Sequence, residues 1–221
     1  MLASGKVLVA GGDNTHEVVR ECELYDPATN QWAITGSLNF PRSDITATLL
    51  ADGRVLAAGG MSGANDRANA ELYDPPTETW TVTGSMNKPR GLHAAVLLET
   101  GEVLVVGGDG RTTELYDPTT GTWALTGSLN VTFNQTTLTL LSNGTVLAAG
   151  GFVGSSVYHG SAIYDPATGT WAASAQVQGD HGTGPTATLL LNGRVLAAGG
   201  TDDDFMPHRR RRPLPESKLT R

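Results

Sequence analysis

Five times along the 221-residue chain an apolar run ends in a pair of glycines: Gly11-Gly12, Gly59-Gly60, Gly107-Gly108, Gly150-Gly151 and Gly199-Gly200. Successive pairs lie 48, 48, 43 and 49 residues apart. A Tyr-Asp-Pro triplet follows the first four pairs, beginning at Tyr25, Tyr73, Tyr116 and Tyr164. Seven residues after each tyrosine stands a tryptophan: Trp32, Trp80, Trp123 and Trp171, every tryptophan in the chain. Self-similarity at a period of about 20–50 residues means repeated supersecondary units, each too small to bury its apolar face alone. The chain must therefore stack like units against one another.

Each unit reads as four short strands. In the second, residues 44–50 form the first strand and 54–58 the second, with Asp52-Gly53 between them. Asn143-Gly144 and Asn192-Gly193 recur at the same place, and such pairs favour the positive φ of tight hairpin turns. The third strand, 70–73, stops at Asp74-Pro75, and the fourth runs from Trp80 through Val82. No segment keeps helical periodicity over ten residues, so the fold class is all-β. Strands such as Val55-Leu56-Ala57-Ala58 alternate poorly, which suits a sheet buried on both faces. The Tyr and Trp flank a six-residue turn and can meet across a hairpin, where their rings pack one sheet on the next.

Composition narrows the class further. Hydrophobic residues make up 39% and charged residues 17%, which excludes a disordered acidic chain and a highly charged coiled coil. No apolar run approaches the roughly 18 residues a membrane helix needs, so membrane insertion of that kind is not expected. Cys22 is the single cysteine, which excludes an internal disulfide and a cysteine-rich metal site. The net charge of −7 splits into −9 over residues 1–200 and +2 over 201–221. An acidic body is a poor match for phosphate backbones, so nucleic acid is not an expected partner.

The order Pro41-Arg42, apolar strand, Gly59-Gly60, Tyr73-Asp74-Pro75 and Trp80 resembles the kelch repeat. The resemblance covers residues 1–200 and implies a β-propeller of four-stranded blades. The units divide as a partial one at 1–40, full ones at 41–88, 89–131 and 132–180, and a partial one at 181–200. The count is 17 strands, or about four blades, expected to form an open arc in preference to a closed ring. Residues 201–221 lose the pattern: Pro213 stands where the next tyrosine is due, so an irregular or disordered tail is expected. The change also suggests a frame change or truncation in the coding sequence, which an uninterrupted natural reading frame ending at Arg221 would exclude.

Motifs for chemistry are sparse. There is no Gly-x-Ser-x-Gly nucleophile turn and no Gly-x-x-x-x-Gly-Lys phosphate loop. The histidines, His16, His93, His159, His181 and His208, are scattered without metal-ligand spacing, and neither catalytic residues nor a cofactor is indicated. Asp202-Asp203-Asp204 reads as a solvated turn. By resemblance, the enzymatic alternative is a remnant of a kelch-scaffolded copper oxidase of the galactose-oxidase type. By that resemblance the site would need tyrosine and histidine ligands at one propeller end, and with four tyrosines in the repeat only Tyr158 is left over, with His159 beside it. A further alternative is a truncated product without independent function.

In a four-stranded meander the 1–2 and 3–4 turns share one end, and the 2–3 loops and 4–1 links share the other. The first set is short and repetitive; the second varies, and recognition concentrates on variable loops of rigid scaffolds. The variable end would carry Asp13, Asn14, His16 and Arg20, then Asn65, Asp66 and Arg67 from the next unit. Arg111, Phe152, Tyr158 and His159 follow, and the links add Phe40, Arg42, Lys88, Arg90, Phe133 and His181. Arg and aromatic residues are common interface anchors. The expected function is a non-catalytic binding module for a protein or carbohydrate ligand. Resemblance to secreted bacterial kelch proteins favours an extracellular or cell-surface place, although no signal-peptide pattern begins at Met1.

Overall fold

The computed structural model describes residues 1–201, apart from 15, 154, 155, 178, 180, 182 and 183. The expected tail, including Asp202 to Asp204 and Arg209 to Arg212, lies outside the described residues. These form only strands, turns and irregular segments, with no helix among them. Blade 1 is a three-stranded sheet of β1 (Val7–Asp13), β2 (Val18–Asp26) and β3 (Gln31–Thr35) in that order. Blade 2 contains β4 (Thr46–Leu49), β5 (Val55–Ala58), a small ribbon of β6 (Met61–Ser62) and β7 (Asn65–Asp66), then β8 (Ala70–Asp74) and β9 (Thr79–Thr83). Blade 3 is β10 (Ala94–Leu97), β11 (Val103–Val106), β12 (Thr113–Asp117) and β13 (Thr122–Thr126). Blade 4 has β14 (Thr137–Leu140), β15 (Val146–Ala149), the ribbon β16 (Phe152–Val153) and β17 (Ser156–Val157), β18 (Ser161–Asp165) and β19 (Thr170–Ala173). A hairpin of β20 (Thr186–Leu189) and β21 (Val195–Ala198) begins blade 5.

Every blade is an antiparallel meander. The hairpins turn where they should: Gly53, Gly144 and Gly193 hold φ of 89°, 81° and 78°. Among the described residues there are 17 blade strands, the number read from the sequence, while the two ribbons show that the long 2–3 loops of blades 2 and 4 have order of their own. The first strand of blade 2 starts at Thr46, two residues later than expected. Asp44 takes a left-handed φ of 50° and breaks the extended backbone there.

Blades stack through one recurrent interface. Tyr73 pairs across its hairpin with Trp80, as Tyr25 does with Trp32, Tyr116 with Trp123 and Tyr164 with Trp171. Ring centroids in all four pairs lie 5.0–5.1 Å apart. The pair of one blade reaches the last strand of the blade before it. Tyr73 Oη shares a 2.6 Å hydrogen bond with Thr35 Oγ1, Tyr116 with Thr83 at 2.8 Å and Tyr164 with Thr126 at 2.7 Å. Trp80 Nε1 donates to the Gly36 carbonyl at 2.9 Å and Trp123 Nε1 to that of Gly84 at 2.8 Å. Gly84 is required by this approach: a Cβ there would run into the Gly121 carbonyl oxygen of the next blade.

The inner strands complete the seam. Leu50, Leu56, Ala58 and Leu72 of blade 2 form one buried cluster with Val103, Val105 and Tyr116 of blade 3. Strands β5 and β11 are buried at all four positions, as their unbroken apolar sequences predict. Among the described residues no strand pairs β1 with β20, and the blades form no closed ring.

Candidate functional site

The 4–1 links and the 2–3 loops lie together at one end of the blades. Ser43 pairs with Met61 and Asn134 with Phe152 in isolated antiparallel bridges, each joining a link to the loop of the blade it enters. The short turns gather at the opposite end, where Asp52 and Gly53 share a groove with Asp74 to Glu78. The links and 2–3 loops thus form one end of the blades and the short turns the other.

Within the variable end, the residues expected to meet a partner separate into two groups. Arg42 and Arg90 are corrections, because both are fully buried. Arg42 Nη1 donates to the Gly59 and Asn69 carbonyls at 2.9 and 2.8 Å, and Nη2 to Glu71 Oε1 at 2.8 Å. Arg90 repeats this with Gly107, Thr112 and Glu114. The carbonyls of the same arginines accept from Gly12 and Gly60 of the preceding blade. Each arginine is thus a rivet between blades. Burial pulls the Arg42 guanidinium below its ordinary range, and the Glu71 carboxylate opposes that pull.

Phe133 and His181 occupy the same place in later links. Phe133 is 1% exposed and meets Tyr158 edge-on at 4.9 Å, so neither ring stands free as a partner anchor. Phe152 is also buried. His181 Nδ1 lies 2.7 Å from the Gly199 carbonyl, the counterpart of Gly59. A carbonyl only accepts, so Nδ1 carries the proton. His159 is half-buried, and its carbonyl accepts from Val177 N. Among the described residues no three His, Cys, Asp or Glu side chains converge as a metal site. Cys22 is buried, and burial pushes its thiol pKa up, which makes it unreactive.

The second group faces solvent. Asp13, Asn14, His16, Arg20, Asn65, Asp66, Lys88 and Arg111 are exposed. Asn14 Oδ1 accepts from the amides of His16 and Glu17 at 2.8 and 2.9 Å, which fixes the tip of the blade 1 loop. Arg67 stands over the half-exposed Phe40 ring at 5.9 Å, an aromatic–cation pair that presents both side chains together.

Sequence reasoning missed the centre of this end. A cleft of about 370 Å³ opens there, lined by Asp44, Ile45, Leu92, His93, Gln135, Thr136, Gly184 and Pro185. All eight lie just before or at the start of an inner strand, one pair from each of four blades. Asp44, Leu92, Gln135 and Gly184 stand at equivalent positions and share left-handed backbone, with φ of 50°, 54°, 55° and 67°. A bulky residue such as Leu92 rarely adopts that conformation, and it is also 37% exposed. Gln135 N donates to the Leu92 carbonyl at 2.9 Å, which ties neighbouring blades at the rim. The signal in the sequence was faint: a position two residues before each innermost strand, whose side chain changes in every unit.

His93 forms the floor. It is 8% exposed, with Nε2 3.0 Å from Thr46 Oγ1. Burial, with the Arg90 charge second, pushes its pKa from 6.5 down to about 3. The unfolded chain binds this proton first, so stability is fully present above about pH 6.5 and falls as pH drops toward 3. The slope is about 1.4 kcal/mol per pH unit. Urea unfolding across that range should show it, and His93→Gln should flatten the acid limb.

The stacked four-stranded blades are those of a β-propeller arc. The family model for the kelch motif matches residues 3–39 and 46–87, which fall on blades 1 and 2. No curated protein matches the chain significantly. Residues 3–39 and 46–87 are thus kelch repeats, and the same Gly-Gly, Tyr-Asp-Pro and Trp signature continues through blades 3 and 4. Kelch repeats commonly mediate protein binding, and the scaffold is generally non-catalytic.

Proposed function

We propose that the chain is a non-catalytic binding module whose variable-loop end, centred on the cleft of Asp44, Leu92 and Gln135, receives a protein partner. The observation that carries this is the left-handed, solvent-facing Leu92 beside two other left-handed residues around one opening. Strained backbone of this kind costs about 1–3 kcal/mol per residue and persists where its surroundings impose it, often at sites that hold a ligand. The Phe40–Arg67 pair adds an apolar face and a charge to the same end, the combination common in interface anchors.

Selection of a displayed peptide library and a glycan array on the immobilised chain tests the assignment. Binders are expected among peptides. A Leu92→Arg, Gln135→Arg variant should weaken them at least tenfold, while Asp117→Ala at the short-turn end leaves them unchanged. Binders that ignore the first variant and respond to the second would overturn the site. Binding confined to glycans would replace the protein partner by a carbohydrate.

A further inference from the structure

Each blade presents two faces, an incoming face toward the preceding blade and an outgoing face toward the next. The incoming face is built on the first and third residues of the second strand, and the outgoing face on the second and fourth. On internal incoming faces Val55 is 5% exposed, and Val103, Val105 and Val146 are 0% exposed. The equivalents in blade 1, Val7 and Val9, are 37% and 45% exposed. On internal outgoing faces Leu50 and Leu56 are 3% and 1% exposed, and Leu98 and Leu104 are 3% and 0%. Their equivalents in blade 5, Leu190 and Leu196, stand at 38% and 53%. Among the described residues the arc therefore ends in two uncovered halves of the interface that joins its own blades.

These halves complement each other. Val103 and Val105 of blade 3 pack on Leu50 and Leu56 of blade 2, and Val7 and Val9 offer the same surface to Leu190 and Leu196. The fit lies in the inner half of the blades. Blade 4 carries Ser174-Ala175 where blades 1–3 carry Thr-Gly, so its outer edge lacks the glycine that receives the next blade's turn. We infer that two copies of this chain associate head to tail, the incoming face of blade 1 in one copy seated on the β20–β21 hairpin of the other. The interface is heterologous: it closes a ring of two copies if the rotation allows, and otherwise extends into longer oligomers.

Sedimentation velocity of the full chain over a wide concentration range tests this, with Val9→Glu and Leu196→Glu variants. The wild-type chain should reach at least twice the monomer mass, and each variant should raise the dissociation constant roughly tenfold or more. Each variant still owns one intact face, so an equimolar mixture should recover a dimer that neither forms alone. Both residues are exposed in the single copy, and unchanged thermal melts would show that the variants fold. Val7→Lys and Leu190→Lys probe the same faces if either does not. A wild-type monomer at every concentration would overturn the inference, as would a dimer that survives Leu196→Glu alone, which indicates a symmetric contact.

Discussion

Replacing Glu71 by alanine is expected to cost about 3–5 kcal/mol of stability, the scale for removing one partner of a buried ion pair. The side chains of Arg42 and Glu71 are both 0% exposed, and their Nη2–Oε1 separation is 2.8 Å. Without Glu71 the guanidinium keeps the Phe40, Gly59 and Asn69 carbonyls and loses, among the described residues, its one ion-pair partner in a site closed to water. The carboxylate also accepts from Asn39 N and Nδ2, both at 2.7 Å, so the entry of the link into blade 2 loosens as well. Blade 4 shows how the site is built without charge: Phe133 stands at the arginine position and Ala162 at the glutamate position. Arg42→Phe with Glu71→Ala should therefore cost less than the two single changes added together. Urea midpoints of the three variants check this, and strict additivity would contradict the rivet.

The tryptophans provide a second large effect through a contrast. Trp80→Ala should destabilise by about 3–5 kcal/mol, since it removes a large side chain from a packed core. Trp80 is 8% exposed and holds the Gly36 carbonyl of blade 1. Trp32 has the same partner within its blade, Tyr25 at 5.1 Å, yet it is 55% exposed because no blade among the described residues covers it. Trp32→Ala should cost less than about 1 kcal/mol, within reach of an ordinary surface change. Thermal melts of both variants decide the matter. Equal losses would mean that the outer part of the blade 1 face, where Trp32 stands on β3, is covered as in the internal interfaces.

Much of the architecture was legible because the repeat uses residues that are otherwise rare in the chain. Burial was less so. Val55-Leu56-Ala57-Ala58 and Val195-Leu196-Ala197-Ala198 are the same four residues, but β5 is buried throughout and β21 alternates between half-buried and exposed. The difference comes from how many blades flank each strand, which a four-residue pattern does not encode. Arg42 and Arg90 resembled interface anchors when considered alone. Their partners were visible in the repeated Glu-Leu-Tyr-Asp at 71–74 and 114–117, but only the fold brings residues 24 and 29 apart into contact. Asp44, Leu92 and Gln135 escaped notice because variable side chains at a link give no hint of left-handed backbone. The cleft proposed as the site lies at the variable-loop end, a few residues from the link positions singled out in the sequence.

The open arc is tested most directly by amide hydrogen exchange along β1. In β5 one set of backbone groups bonds β4 and the other bonds β8, so the whole strand should be protected. In β1 only the side facing β2 is paired, which leaves alternate amides of residues 7–10 open on the inner edge. Those alternate amides should exchange far faster than any in β5, and protection in blades 2 and 3 should match strand for strand. Full protection along residues 7–10, equal to that of β5, would show a strand bound at that edge and contradict the arc.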